Sequence, residues 1–317
     1  MKKKTKHNVT KHNNVDNSDN RKNNYRKSSN RKKNNKKKNS KNKKKKNIRK
    51  KKIINIVCVV AAIVTFISAF MFIRTLMRMV RERQVYDELN ALVMQNTSEN
   101  DIPTIYLYTR DSEESESDNL VDETPHILPE YETVYNMNND LFGWISIADT
   151  PISYPVMYTP ENPEYYLHRA FDETEAISGC LFIDAKCHDG GGIYIIYGHH
   201  MRDESMFGSL PQYADEAYRE EHPLIQFNTL YSYGEYEVVA AFYSKIYSDG
   251  EEGFRYYEYT DISDENTFNE FMAGVNAAAL YDTGTDVSFG DELIMLSTCN
   301  YHTENGRFVV IARKITK

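Results

Sequence analysis

The sequence predicts a mainly β domain, a barrel or sandwich, attached to a single membrane-spanning helix. Three observations carry that reading. Residues 53–73 form a run of 21 residues without a charge. From about Tyr131 onward, short aromatic and β-branched segments alternate with Gly, Pro, Asp and Asn, the texture of strands joined by turns. Charge is also split: residues 1–52 hold 24 Lys/Arg against 2 Asp/Glu, whereas the remainder holds 15 against 44. The net charge of −7 conceals two regions of opposite sign, suited to different surroundings.

Residues 1–52 are rich in Lys and Asn and nearly devoid of apolar side chains. Such a segment buries too little surface to offset its ordering entropy, so it is expected to be a disordered cytoplasmic tail. Its charge suits anionic lipid headgroups. Nucleic acid is the alternative ligand for such a charge, but Tyr25 is its only aromatic residue, so the plainest role is a topology signal and no nucleic-acid partner is expected.

The run IINIVCVVAAIVTFISAFMFI, 53–73, is long enough at 1.5 Å per residue to cross a ~30 Å hydrocarbon core. Arg49-Lys50-Lys51-Lys52 flank one end and Arg74 the other, which predicts a cytoplasmic N-terminus. Arg74-Thr75-Leu76-Met77-Arg78 follows instead of a small-residue cleavage site, so the run reads as an uncleaved signal-anchor with the rest of the chain outside the cytoplasm. A linker, 74–130, comes next. Its first part is helical, with Leu76, Met79, Val80, Val85, Leu89, Leu92 and Val93 at three-four spacing. Its acidic run, 111–123, lacks the glycine and ligand spacing of a calcium loop and reads as a solvated spacer.

The folded domain is expected at 131–317. Its strand-like segments are LFGWISI, ISYPVMY, SGCLFIDA, GIYIIYG, YEVVAAFYSKIYS, DELIMLSTC and RFVVIARKI. Short helical turns are expected in ENPEYYLHRAF and around Pro211. A longer helix is expected from a Ser263 cap through ISDENTFNEFMAGVNAAAL. No internal repeat is visible, and one core suffices for this length.

Outside the apolar run lie three cysteines, Cys180, Cys187 and Cys299, an odd number that leaves at least one without an intrachain partner. Cys180 and Cys187 bracket an extended segment whose ends would be roughly 20 Å apart, too far for a disulfide without a turn. Cys299 is the thiol with a chemical context. DELIMLST and RFVVIARKI pair economically as an antiparallel hairpin across a seven-residue loop, which brings Cys299 and Arg307 together at one end of a sheet. An arginine there can stabilise a thiolate or donate to an oxyanion. The second element is IYIIYGHHMRDESMFGSL, 193–210, where a strand ends in Gly198 and then His199. A histidine so placed can protonate a leaving amine and later deprotonate an incoming one. Adjacent histidines diverge and rarely share a metal, no GxSxG motif is present, and no carboxylate orienter stands out.

These residues, with the signal-anchor ahead of them, resemble the sortase family of Gram-positive bacteria over roughly 130–317. DLFGWISI, ISYPVMYTPENPEYYLHRAF, SGCLFIDA, YGHHMRDESMFGSL and the helix before LSTC are similar to class B. The resemblance implies an eight-stranded β-barrel with peripheral helices, and no metal or organic cofactor. It implies that Cys299 is the nucleophile, His199 the acid/base and Arg307 the oxyanion or substrate-positioning group. Ser297, Thr298 and Tyr197 are expected to line the substrate groove, and Cys180 to be a core residue. His200 stands where the family usually has Asn. His302, three residues after Cys299, is the other histidine that can be considered for the acid/base role. The implied reaction is transpeptidation: cleavage of an LPxTG-like sorting motif in secreted proteins through a thioester on Cys299, then transfer to an amine of a peptidoglycan precursor or cross-bridge. Polymerising pilin through a lysine acceptor is the alternative within the class. A catalytically inactive binding module is the alternative outside it.

Overall fold

The computed structural model of the protein describes residues 18–96 and 126–315. The acidic run at 111–123 and residues 1–17 lie outside them. The chain divides into two units, 1–74 and 75–317.

In the first unit, helix α1 starts at Ser18, and it continues to Asn96 in the second. It contains the apolar run, whose side chains are exposed, and is long and apolar enough to cross a membrane. The expectation of disorder across residues 1–52 is not met from Ser18 onward. No Gly or Pro occurs before Pro103, and Lys is a good helix former. A helix nucleated in the apolar run therefore meets no breaker as it extends backward.

The second unit opens with the end of α1. There Tyr86 and Leu89 are buried, and Val85, Leu92 and Val93 pack against the core. Removing each large apolar side chain from water contributes about 2 kcal/mol. Helix α2 (Pro129–Met137) begins on a proline, with Glu130 and Glu132 in its first turn, where the helix dipole favours carboxylates. Tyr131 of α2 stacks on Trp144 at 6.4 Å and 11°.

Eight strands follow: β1 (Leu141–Ser146), β2 (Ser153–Met157), β3 (Leu181–Ile183), β4 (Ile193–Gly198), β5 (Leu224–Thr229), β6 (Glu235–Lys245), β7 (Leu293–Cys299) and β8 (Gly306–Lys314). They close into a barrel in the order β1-β2-β3-β4-β7-β8-β6-β5. The β2/β3 and β4/β7 joints are parallel and the rest antiparallel. Parallel β4 and β7 need a long crossover, and the intervening chain supplies β5, β6, α3 (Glu216–Glu221) and α4 (Glu265–Ala278). The strands at this joint read as continuous apolar runs because both faces are covered. Ile195, Ile196, Met295, Leu296, Val309 and Val310 are all fully buried.

The barrel, the turn at Tyr165–His168 and the elements around Pro211 agree with the sequence reading. Helix α4 is capped by Asp264, whose carboxylate accepts from Thr267 N at 2.9 Å. Ser263, the expected cap, is one residue early and donates to Asp261 instead. Strand β5 and helix α2 were not foreseen.

Candidate active site

Each chemistry-bearing side chain sits where a strand stops. β7 and β8 pair as far as Cys299 opposite Arg307, and Asn300 N–H donates to Gly306 O at 2.9 Å. The Cys299/Arg307 pair is therefore of the non-hydrogen-bonded kind, with Cα atoms about 4.5 Å apart and side chains on one face. On the other side of β7, β4 runs parallel with Gly198 level with Thr298. One step further along both chains, just past the last paired position, come His199 and Cys299. The residues that carry a thiol, an imidazole and a guanidinium are thus brought to one end of the barrel. Cys299, His199 and Arg307 are all half-buried.

Gly198 is where the sequence needs it. A Cβ there would lie 2.4 Å from Leu181 Cδ2 and 2.6 Å from Phe207 Cδ2. The absence of a side chain lets β4 run close under these two residues before the chain turns.

The imidazoles are held through backbone carbonyls. His199 Nε2 lies 2.7 Å from Leu167 O. A carbonyl only accepts, so Nε2 carries the proton and Nδ1 is left for proton exchange. His168 stacks on the His199 ring at 5.6 Å and 20°. His200 Nδ1 donates to Cys299 O at 2.9 Å, and its ring stacks on Tyr301. His200 thus supplies an N–H donor that ties the chain just past β4 to the thiol-bearing residue.

Arg307 Nη1 donates to Asn305 O and Gly306 O at 3.3 and 3.0 Å. No carboxylate pairs with it among the described residues. The guanidinium keeps its charge and several donors for whatever enters the site.

Ser297 and Thr298 are 1% and 2% exposed. Thr298 Oγ1 donates to Gly198 O at 2.7 Å, and Ser297 Oγ hydrogen-bonds the Tyr256 hydroxyl at 2.8 Å. Both hydroxyls are engaged inside the wall, so each holds a neighbour of the site in place. Tyr197 is half-buried and donates to Asp184 at 3.0 Å. Burial and the adjacent Asp184 carboxylate raise its phenol far above the ordinary value. His302 is exposed, with Nδ1 3.0 Å from Asn300 Oδ1 and its ring against Tyr243.

Two contributors escaped the sequence reading. Tyr256 is fully buried beneath the site. Burial pushes its phenol up to about 12, the Ser297 hydroxyl and the Arg307 charge pull down, and Cys299 pushes up. The other is the Leu167 carbonyl, a backbone atom with no signature in a sequence.

Cys180 and Cys187 are buried, and desolvation pushes each thiol up to about 12. Such thiols are unreactive at neutral pH. All four cysteines are free, and no His/Cys/Asp/Glu cluster able to hold a metal occurs among the described residues.

No family model matches the chain. It is 30% identical over 195 residues to sortase B of Listeria monocytogenes, a match covering 60% of this chain and 76% of that protein. It is 28% identical over 196 residues to sortase B of Staphylococcus aureus, covering 61% and 77%. Its fold is similar to the crystal structure of sortase B from B. anthracis in complex with AAEK2, with a TM-score of 0.59 and 26% identity over 75% of this chain and 97% of the other.

Proposed function

The chain belongs to the class B sortases, a family of cysteine transpeptidases, and on that premise we propose that Cys299 is its nucleophile, His199 its acid/base and Arg307 its oxyanion donor. The single observation that carries this assignment is the meeting of the three at the ends of β4, β7 and β8, with Cys299 and Arg307 directly opposed. The substrate is a secreted protein bearing an LPxTG-like sorting motif. Cys299 gives its thiol proton to His199 Nδ1, its Sγ attacks the threonine carbonyl carbon, and Arg307 donates to the oxygen as it gains charge. The peptide C–N bond then breaks. The leaving amine takes a proton from His199 Nδ1, and a thioester remains on Cys299. An amine of a peptidoglycan precursor or cross-bridge attacks the thioester and returns a proton to His199, and the thiolate departs. Water in place of the amine gives hydrolysis, the endopeptidase side of the same chemistry.

The apolar part of α1 is the membrane anchor in this reading, with the basic residues before it cytoplasmic and the barrel outside. Anchoring suits the chemistry, because a secreted substrate and a lipid-linked acceptor both arrive at the outer membrane face.

The test uses the full chain in membranes with fluorogenic sorting peptides, with and without an amine acceptor. Cleavage with an acceptor-linked product, lost in Cys299→Ala and His199→Ala, is expected. Turnover that survives Cys299→Ala would sink the assignment.

A further inference from the structure

We infer that the stretch of α1 that follows the apolar run belongs to the catalytic apparatus: Glu82, Arg83 and Tyr86 are positioning residues for His199. This rests on His199 being the acid/base. The three lie within about one helical turn of each other on α1 and grip the two loops that flank His199.

The first grip acts through Leu167. The Glu82 carboxylate accepts from Ile177 N at 3.1 Å, Ser178 N at 3.4 Å and Ser178 Oγ at 2.8 Å. Tyr86 donates its hydroxyl, in a buried position, to Gly179 O at 2.7 Å. The helix thereby fixes residues 177–179. Gly179 adopts φ +60°, and a Cβ on it would lie 2.5 Å from Leu167 O and 2.7 Å from Tyr166 O. Its backbone is pressed against the turn that carries Leu167, and Cys180 N donates to Tyr166 O at 3.0 Å across the same contact. Leu167 O is the acceptor that sets the His199 tautomer and ring orientation. Tyr86, Gly179, Leu167 and His199 form one unbroken line of contacts.

The second grip acts on the turn after His199. Arg83 Nη2 lies 3.3 Å from Asp203 Oδ2. The other oxygen of Asp203 accepts from Ser205 Oγ at 2.7 Å. The turn then folds back on the site: Phe207 N donates to His199 O at 3.1 Å, and His200 pairs with Met206 as a β-bridge. The His199 main chain is held by a turn that Arg83 holds in its own turn.

An imidazole that must hand a proton to a departing amine loses rate steeply when displaced by a fraction of an ångström. The same residues that lead out of the apolar run therefore set the geometry of proton transfer, and the barrel needs its stalk for turnover as well as for tethering.

The experiment uses the full chain in lipid nanodiscs, with sorting-peptide kinetics and thermal unfolding of each variant. Glu82→Ala and Tyr86→Phe are expected to lower kcat about tenfold with KM unchanged within about twofold. Glu82→Gln keeps an oxygen acceptor and should recover most of kcat. Arg83→Ala and Asp203→Asn should each lower kcat, and the double variant should be no worse than the poorer single. Arg78→Ala, which removes only an exposed 4.0 Å pair with Glu175, should match the parent. Wild-type kcat in folded Glu82→Ala and Tyr86→Phe overturns the inference if His199→Ala is inactive. If His199→Ala itself turns over, it is the acid/base assignment that fails.

Discussion

Two arginines stand at the two ends of β8, and the fold treats them oppositely. Arg313 lies 3.5 Å from Glu237 and 3.9 Å from Asp291, its charge balanced twice. Arg307, six residues earlier, spends donors only on carbonyls of its own loop. The contrast extends to the whole barrel. At the Arg313 end, Lys314 and Tyr236 both bond Glu292, and Tyr194 donates to Asp189, so charges and hydroxyls satisfy one another. At the Arg307 end, a thiol, a guanidinium and two imidazoles stand together without a carboxylate among the partners described above. A half-buried charge left unbalanced is a cost that a purely structural strand end avoids, as the Arg313 end shows. What the Arg307 end gains is a fixed positive field where a reaction would develop negative charge.

The largest test of that contrast is the arginine pair itself. Arg307→Lys keeps the charge but loses the planar fork, and Arg307→Ala loses both. Sorting-peptide kinetics should show kcat/KM lower by about 10²–10³ for Arg307→Ala, the usual loss for one oxyanion donor, and a smaller loss for Arg307→Lys. Arg313→Ala should leave kcat/KM within about twofold, while its melting temperature falls by an amount corresponding to about 1 kcal/mol or less. Equal losses of rate at the two positions would erase the distinction.

A gentler test uses two glycines, Gly198 at the end of β4 and Gly190 in the turn before it. Gly198→Ala forces a methyl into Leu181 and Phe207, an overpacking that costs about 1–3 kcal/mol and pushes on the residue before His199. Turnover should fall about tenfold, alongside a lower melting temperature. Gly190 has φ +81° with nothing within 4 Å of its would-be Cβ. Gly190→Ala pays only about 1 kcal/mol of backbone strain, with turnover unchanged. Parallel melts and kinetics of the two variants separate strain that reaches the site from strain that does not.

How far this site was legible follows from the range of each contact. The β7–β8 hairpin and the end of β4 are local patterns, so the opposition of Cys299 and Arg307 and the strand-end position of His199 could be read directly. Strand β5, LIQFNT, does alternate, with Ile225 and Phe227 buried and Leu224 and Gln226 exposed. It is short and follows directly on α3, which hid it. Helix α2 carried a Pro and two acidic residues at its start, a signal present in the sequence but masked by the aromatic texture that suggested strand. Tyr256 and Leu167 could not be found this way. Tyr256 reaches Ser297 across 41 residues and His199 reaches Leu167 across 32, and neither spacing has a signature. Ser297 and Thr298 are the reverse case. Their place beside Cys299 is local information, but the burial of their hydroxyls in the wall depends on β4 and Tyr256, which only the closed barrel brings to them.

The smallest expected effect concerns the thiols, and it contrasts the barrel's interior with its rim. Cys180 and Cys187 hold their protons to about pH 12 because burial penalises the thiolate. In the unfolded chain they ionise near the ordinary value of about 8.5. Below that pH both states are protonated, and the two thiols add no pH dependence. Above it the unfolded state releases two protons that the native state keeps, so stability declines as pH rises from about 8.5 toward 12. Urea midpoints between pH 7 and 9.5 should therefore drift downward. A Cys180→Ala/Cys187→Ala variant should start lower at pH 7, because each substitution removes buried atoms, yet drift less. The neighbouring tyrosines stay in both proteins, so the difference in slope belongs to the cysteines. In the native barrel at pH 8, iodoacetamide should label Cys299 and spare both interior thiols until urea opens the fold. Labelling of Cys180 or Cys187 at the rate of Cys299 in the folded protein would mean that interior and rim are not chemically distinct, and the case for Cys299 as the reactive thiol would lose its contrast.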